Sequence, residues 1–307
     1  MRRGPAFRAA PVRVRVPATS ANLGPGFDSA GLALSLYDEV VVRVAESGLV
    51  VDVAGEGADT LARDRRHLVV KALRAAFDAL GGQPRGLEVV CANRIPQSRG
   101  LGSSAAAIVA GLVAARSLVL GGEETLDVGQ TLALAAAMEG HPDNVAACLL
   151  GGLTLAWAEP GQPVQAARFP TSAAVVPVAC VPATRSSTAK VRRLLPEAVP
   201  FADAAANAGR AALLVTALTE RPALLMAATR DLLHEQYRAP AMPRTAGLVG
   251  RLRGAGIPAV VSGAGPSVLA LTDGRARQQI EACAPRGWTV LPLTVDLEGA
   301  VVRSLPG

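Results

Sequence analysis

Aromatic side chains are scarce, at 3% of 307 residues. The core must therefore be built from Ala, Val and Leu, and stacking platforms for single-stranded nucleic acid are disfavoured. Lysine is nearly absent: only Lys71 and Lys190 are lysines, and every other basic residue is arginine. Together with the alanine excess, this reads as a genome-wide compositional bias. The net charge of +6 is then weak support for a nucleic-acid partner, and the arginines are scattered rather than gathered in a basic tail.

Long apolar runs are missing too. The longest, 105–115, ends at Arg116 and is too short to span a bilayer. The basic N-terminus MRRGPAFRAAP lacks the apolar segment of a signal peptide. No two of Cys91, Cys148, Cys180 and Cys283 lie within four residues of each other, so zinc-type and CxxC spacings are absent. Their apolar neighbours suggest buried free thiols in a reducing compartment. The expectation is a cytoplasmic protein with no membrane and no nucleic-acid partner. With 50% hydrophobic and 18% charged residues, disorder is excluded.

What is present is a turn-rich chain, with 31 Gly and 22 Pro. Alternation and apolar runs predict strands at 12–17, 32–44, 49–53, 87–92, 153–157, 175–180, 259–262, 268–271 and around 288–296. Helical spacing predicts helices at 61–80, from Ser103 to about 120, at 126–139, 200–219, 222–234, 244–254 and 274–284. Elements are mixed without a strict βαβ rhythm, which argues α+β rather than doubly wound α/β. The turn cluster AEPGQP suggests a division into residues 1–158 and 159–307.

Three Gly-rich loops stand out: ATSANLGPGFD at 18–28, PQSRGLGSSA at 96–105 and SGAGPS at 262–267. The second runs straight into a helix. Its glycines allow close backbone approach, Ser103 and Ser104 sit where an N-cap belongs, and the helix N-terminus is suited to an anion. Alone, the 96–105 loop reads equally well as a capped helix after a turn, and the loops at 18–28 and 262–267 read better as tight turns than as sites. A Walker A loop is excluded, because neither lysine follows a glycine. Residues 100–105 match the GxGxxA dinucleotide fingerprint, but the region where its acidic partner belongs, Gly121-Gly122-Glu123-Glu124, follows one long helix with no second strand.

Taken together the loops are specific. PxxxGLGSSA resembles the ATP loop of the GHMP small-molecule kinase family, and SGAGPS resembles its C-terminal glycine motif. VPATSANLGPGFDSAGLAL at 16–34, EGHPDNVA at 139–146, STAKVRRLLP at 187–196 and LLHEQYRAPAMP at 232–243 are most similar to the homoserine kinase branch of that family. The matches run in order from residue 16 to residue 267.

The resemblance implies the two-domain α+β GHMP kinase fold, with a ribosomal S5 domain 2-like N-terminal domain and a ferredoxin-like C-terminal domain. It implies ATP-dependent phosphorylation of the L-homoserine hydroxyl in threonine biosynthesis, with Mg²⁺ as cofactor, and a homodimer. ATP would lie on Pro96, Gln97, Ser98, Arg99, Gly100, Leu101, Gly102, Ser103, Ser104, Ala105 and Ala106. Mg²⁺ takes hard oxygen ligands and few from protein. By resemblance these are the Ser104 hydroxyl and the Glu139 carboxylate.

For the amino acid, the resemblance implies Asp28 at the ammonium and Arg192 and Arg238 at the carboxylate, where a guanidinium fork fits. It adds Asn22, His141, Thr188 and Gly265 to the substrate site and makes Asn144 and Arg192 catalytic. Without the resemblance, Glu139 reads as a solvated helix-end charge, the two arginines as surface residues and His141 as a loop residue. Asn144 occupies the place where several family members carry a catalytic Asp, so positioning must replace a strong base. Neighbouring Asp143 reads as a cap or a candidate base. The family often has Asn-Leu-Val where this chain has His67-Leu68-Val69, and His67 is accordingly placed near adenine.

Overall fold

The computed structural model describes residues 4–304. The VRVRV run becomes strand β1 (Val12–Ala21), with Val12, Val14 and Val16 turned inward and Arg13 and Arg15 turned out. It pairs antiparallel with β2 (Ala30–Ala45), and a turn at 22–29 joins them. β3 (Gly48–Gly55) and β4 (Gly86–Asn93) extend the sheet, parallel to each other. β5 (Leu153–Trp157) pairs with the other end of β2, and β6 (Gln165–Phe169) pairs with β5.

The helices Leu68–Ala79 and Ser103–Leu118 cover one face of this sheet. The second is built almost wholly of small and aliphatic residues, and Ala105, Ala106, Val109, Leu112 and Ala115 are all buried. Its apolar character all round is what a helix enclosed by neighbours requires.

The second sheet holds β7 (Val176–Pro182), β8 (Ala259–Val261), β9 (Val268–Thr272) and β10 (Trp288–Pro292), in the spatial order β10-β7-β9-β8, all antiparallel. With helices between β7 and β8 and between β9 and β10, this is the expected ferredoxin-like order. Alternation decides where each face goes. Ala179, Val181, Leu269 and Leu271 join the core shared with the first sheet, while Val178, Cys180, Val268 and Ala270 pack in a separate core with Leu248 and Leu252 of the helix Pro243–Gly254.

The first sheet takes in β6 and also β11 (Val301–Ser304), which pairs with β1. Both lie beyond the division expected after residue 158. β6 (QAARF) is half-exposed and has no clean alternation. β11 returns to a partner almost the whole chain away.

Two helices are shorter than expected. The one predicted at 61–80 begins at Leu68, because Asp64 accepts from the Arg66 N–H and makes a turn there. The one predicted at 222–234 ends at Ala228. Asp231 accepts the N–H groups of Leu233, His234 and Glu235, withdrawing them from any helical ladder. Thr188–Arg192 is a short helix in a stretch where no element was predicted.

Cys91, Cys148 and Cys180 are buried free thiols, and Cys283 is partly exposed. Among the described residues, no helix is long and apolar enough to cross a membrane, and no cluster of three His, Cys, Asp or Glu side chains could hold a metal.

Candidate active site

A cavity of about 800 Å³ opens where the three Gly-rich loops meet. The loop after β4 crosses its floor. A Cβ on Gly100 would lie 2.2 Å from the Ser262 carbonyl oxygen, and one on Gly102 would lie 1.9 Å from the Thr19 hydroxyl. Both glycines also have positive φ. The loop thus touches the other two loops backbone to backbone, and Ser262 Oγ donates to the Gly100 carbonyl.

The N-cap of the helix Ser103–Leu118 is Gly102 rather than a serine, and no side chain caps it. The free N–H groups of its first turn therefore remain available to an anion in the cavity. Ser104 Oγ instead donates to Glu139 Oε1 at 2.6 Å. Burial pushes the Glu139 carboxyl upward, partly offset by that hydrogen bond, so this is not a solvated helix-end charge.

The loop residues do not all face the cavity. Ser98, Gly100, Gly102, Ser103 and Ser104 do. Leu101 is buried in the core. Arg99 is spent on carbonyls: it donates to Pro182, Ala183 and Gln97, tying the loop to the second half of the chain. On the loop's outer side is a smaller cavity of about 170 Å³, lined by His67, Gln97, Ala106, Asn93 and Asp38 among others. His67 is buried there with neither ring nitrogen partnered, and burial lowers its pKa.

Asp28, Arg192 and Arg238 also line the main cavity. Arg192 Nη2 donates to Asp28 Oδ2. Arg238 is no surface arginine: it is 2% exposed, its Nε has no partner, and burial followed by the Arg192 charge pushes its pKa down. The Phe27 ring lies against both, 5.2 Å from each guanidinium carbon.

Asn22 lines the cavity, yet its amide also knits loops together. It donates to the Gly263 carbonyl at 2.9 Å and accepts from the Asp28 N–H at 3.0 Å. Asn22 and Asp28 both have positive φ, at 67° and 56°, an uncommon conformation that aims their side chains into the site. Gly265 does not line the cavity. A Cβ there would lie 2.8 Å from Met242 Sδ, so its demand is packing. Thr188 opens the helix that carries Arg192, and its side chain lies outside the described set.

Asn144 sits in the first turn of the helix Asp143–Leu150. Its Oδ1 accepts from Thr19 Oγ1 at 2.8 Å, and its Nδ2 donates to Asp143 Oδ1 at 3.3 Å. These two contacts fix which way the amide points. Asp143 is buried, accepts the Asn144 N–H at 2.7 Å, and lies 3.3 Å from His141 Nδ1, which raises the imidazole pKa. Sequence reasoning missed Thr19 and Phe27. Phe27 is one of five phenylalanines and sits inside a motif already singled out, which was its only signal.

Known proteins resemble this chain over nearly its whole length. The family description "GHMP kinases N terminal domain" matches residues 67–152, and "GHMP kinases C terminal" matches 203–289. A homoserine kinase of Streptomyces coelicolor is 64% identical over 302 residues, covering 98% of this chain and 97% of that one. A homoserine kinase of Streptomyces avermitilis is 62% identical, with 98% and 99% covered. The crystal structure of homoserine kinase from Cytophaga hutchinsonii superposes with a TM-score of 0.83 at 27% identity, covering 97% of this chain and 98% of that one. The chain belongs to the homoserine kinases of the GHMP kinase family.

Proposed function

We propose that this site transfers the γ-phosphoryl group of ATP to the side-chain hydroxyl of L-homoserine, with the following division of labour. The observation that carries it is the sharing of one cavity by two unlike sets of groups. One is an uncapped helix N-terminus suited to phosphate, and the other is Asp28 with two arginines, suited to a zwitterion.

Asp28 takes the ammonium, and Arg192 and Arg238 take the carboxylate. The first-turn N–H groups after Gly102 hold the phosphates. The base of ATP lies against His67 in the smaller cavity, whose unpartnered ring nitrogens can each take a polar edge. Lys190 lines the main cavity and supplies a mobile point charge to the phosphates.

The homoserine hydroxyl is placed by the Asn144 amide. Its oxygen, held by the Thr19 hydroxyl, has a second lone pair free. A new bond forms from the hydroxyl oxygen to γ-phosphorus as the bond to the bridging oxygen breaks, and ADP leaves. In a loose transition state the hydroxyl proton departs late, to an oxygen of the transferred phosphoryl group, so positioning suffices without a strong base.

Ser104 Oγ and the Glu139 carboxylate fit Mg²⁺: they are adjacent hard oxygens beside the loop. When bound, Mg²⁺ supplies charge neutralisation on the phosphates. The test is an ADP-release assay on purified protein with homoserine, serine, threonine, mevalonate and galactose. Homoserine is expected to give the highest kcat/KM, with Mg²⁺ required. Higher activity on mevalonate or galactose would discard the substrate assignment.

A further inference from the structure

Behind the arginines lies a residue that lines neither cavity described above. His234 is 0% exposed, in the bend that Asp231 creates ahead of the short helix Glu235–Arg238. Its Nε2 lies 2.9 Å from the Gly24 carbonyl oxygen and 3.5 Å from Asp231 Oδ1, both acceptors. A ring nitrogen between two acceptors carries the proton. The other nitrogen, Nδ1, lies 3.4 Å from Arg238 Nη1. A guanidinium is an obligate donor, so Nδ1 presents a lone pair. The contacts therefore specify one tautomer of the neutral imidazole: hydrogen on Nε2, lone pair on Nδ1. Burial, and the Arg238 charge, hold the ring neutral against the pull of Asp231 and Asp28.

We infer that His234 is a positioning residue for amino-acid recognition, bridging the loop that carries Asp28 to the guanidinium of Arg238. This rests on the reading that Arg238 takes the substrate carboxylate. The protein contacts of the Arg238 guanidinium are few and long: Nη1 lies 3.4 Å from His234 Nδ1 and 3.5 Å from the Gly263 carbonyl oxygen, Nε is unpartnered, and the Phe27 ring lies alongside. A buried guanidinium so poorly satisfied is costly to hold and free to turn. The Nδ1 lone pair fixes one edge and leaves the rest for a carboxylate. Through Nε2 and Gly24 the same ring sets the start of the turn that ends at Asp28. The Phe27 ring, 5.1 Å from the imidazole, packs between the two. One imidazole thus holds the ammonium pocket and the carboxylate pocket in register.

Two side-chain amides separate the two contacts. Asn at 234 can offer an oxygen near the Nδ1 position, and Gln can offer an N–H near the Nε2 position. In His234→Gln the homoserine KM should rise tenfold or more, while the ATP KM and kcat at saturating homoserine change less than twofold. His234→Asn should show a smaller rise. A folded His234→Gln enzyme with native homoserine KM, or with both KM values raised equally, overturns the inference. Arg238→Ala separates this from the underlying reading. If it leaves the homoserine KM unchanged, the carboxylate assignment fails. If it raises that KM while His234→Gln does not, only the role of His234 fails. The native chain gives an independent readout even if a variant does not fold. It has three histidines, so ¹⁵N-histidine spectra resolve few signals. His234 should show the Nε2–H neutral form at neutral pH, and an Nδ1–H form or an imidazolium would overturn the bridge.

Discussion

Arg192 and Asp28, which sequence motifs place at opposite ends of the amino-acid substrate, are paired with each other in the cavity. The helix bearing Arg192 belongs to the second half of the chain and the turn bearing Asp28 to the first. A zwitterion entering between them offers each residue a new partner of the right sign, so the charges lost on opening are replaced on binding. A neutral alcohol such as mevalonolactone or a sugar offers no such exchange.

Removing one partner should therefore act on the amino acid and not on the nucleotide. Arg192→Ala, half-exposed before binding, is expected to cost about 2 kcal/mol in kcat/KM for homoserine, and buried Arg238→Ala up to about 5 kcal/mol. The ATP KM should move little in either. Lysine at either position should rescue only in part, since an ammonium cannot reproduce the fork. Steady-state kinetics with each substrate varied will show this. Equal loss for both substrates would mean the arginines bind phosphate.

Asn144→Asp is expected to be slower than the native enzyme at neutral pH, although it gains a potential base. The new carboxylate would face the Asp143 oxygen that now receives the Asn144 Nδ2 hydrogen. Like charges at that range resist ionising together and disfavour an anionic transition state. A faster Asn144→Asp enzyme would sink the positioning argument. Thr19→Ala, which releases the amide, should lower kcat by about tenfold, the scale of one lost hydrogen bond in the transition state. Thr19→Ser should recover most of it.

Gly102→Ala should abolish nucleotide use. The added methyl would collide with the Thr19 hydroxyl, and the residue's φ of 70° already disfavours a side chain. ATP titration by calorimetry or fluorescence checks this, with circular dichroism confirming the fold. Native-like ATP binding would show that the loop can be remade.

Stability should fall as pH rises from about 4 to about 6, because of Asp38. Its carboxyl, buried beside β4, is pushed up to about 6 by desolvation, despite accepting the Arg94 and Ile95 N–H groups. A raised folded-state value means the protonated form is favoured in the fold. The contribution is complete below the unfolded value of 3.8 and is lost as pH passes about 6. Over that window the loss is at most about 3 kcal/mol. Asp38→Asn keeps an acceptor for both N–H groups without the charge. Its Tm advantage over the native chain should grow between pH 4 and 7. A constant difference would contradict it.

The loops and most elements were legible because Gly, Pro and Asn punctuate the sequence and VRVRV-type alternation survives. What was not legible depended on burial or on distant partners. Without the family resemblance, Arg238 and Glu139 read as solvated charges, and only the fold covers them. β11 is four residues whose partner strand is at the other end of the chain. The broken helix at 228 kept its apolar spacing, and only the side chain of Asp231, turned back on three amides, ends it.

The pairing of β11 with β1 also orders events at the ribosome. Val12–Ala21 is made well before Val301–Ser304, and until then one of its flanks stays an open edge. In the interval the nascent chain carries the VRVRV edge with unpaired amides and carbonyls, a template for stray strands. The arginines at 13 and 15, set between the inward valines, put charge on that edge during the wait. A strand made long afterwards thus completes β1.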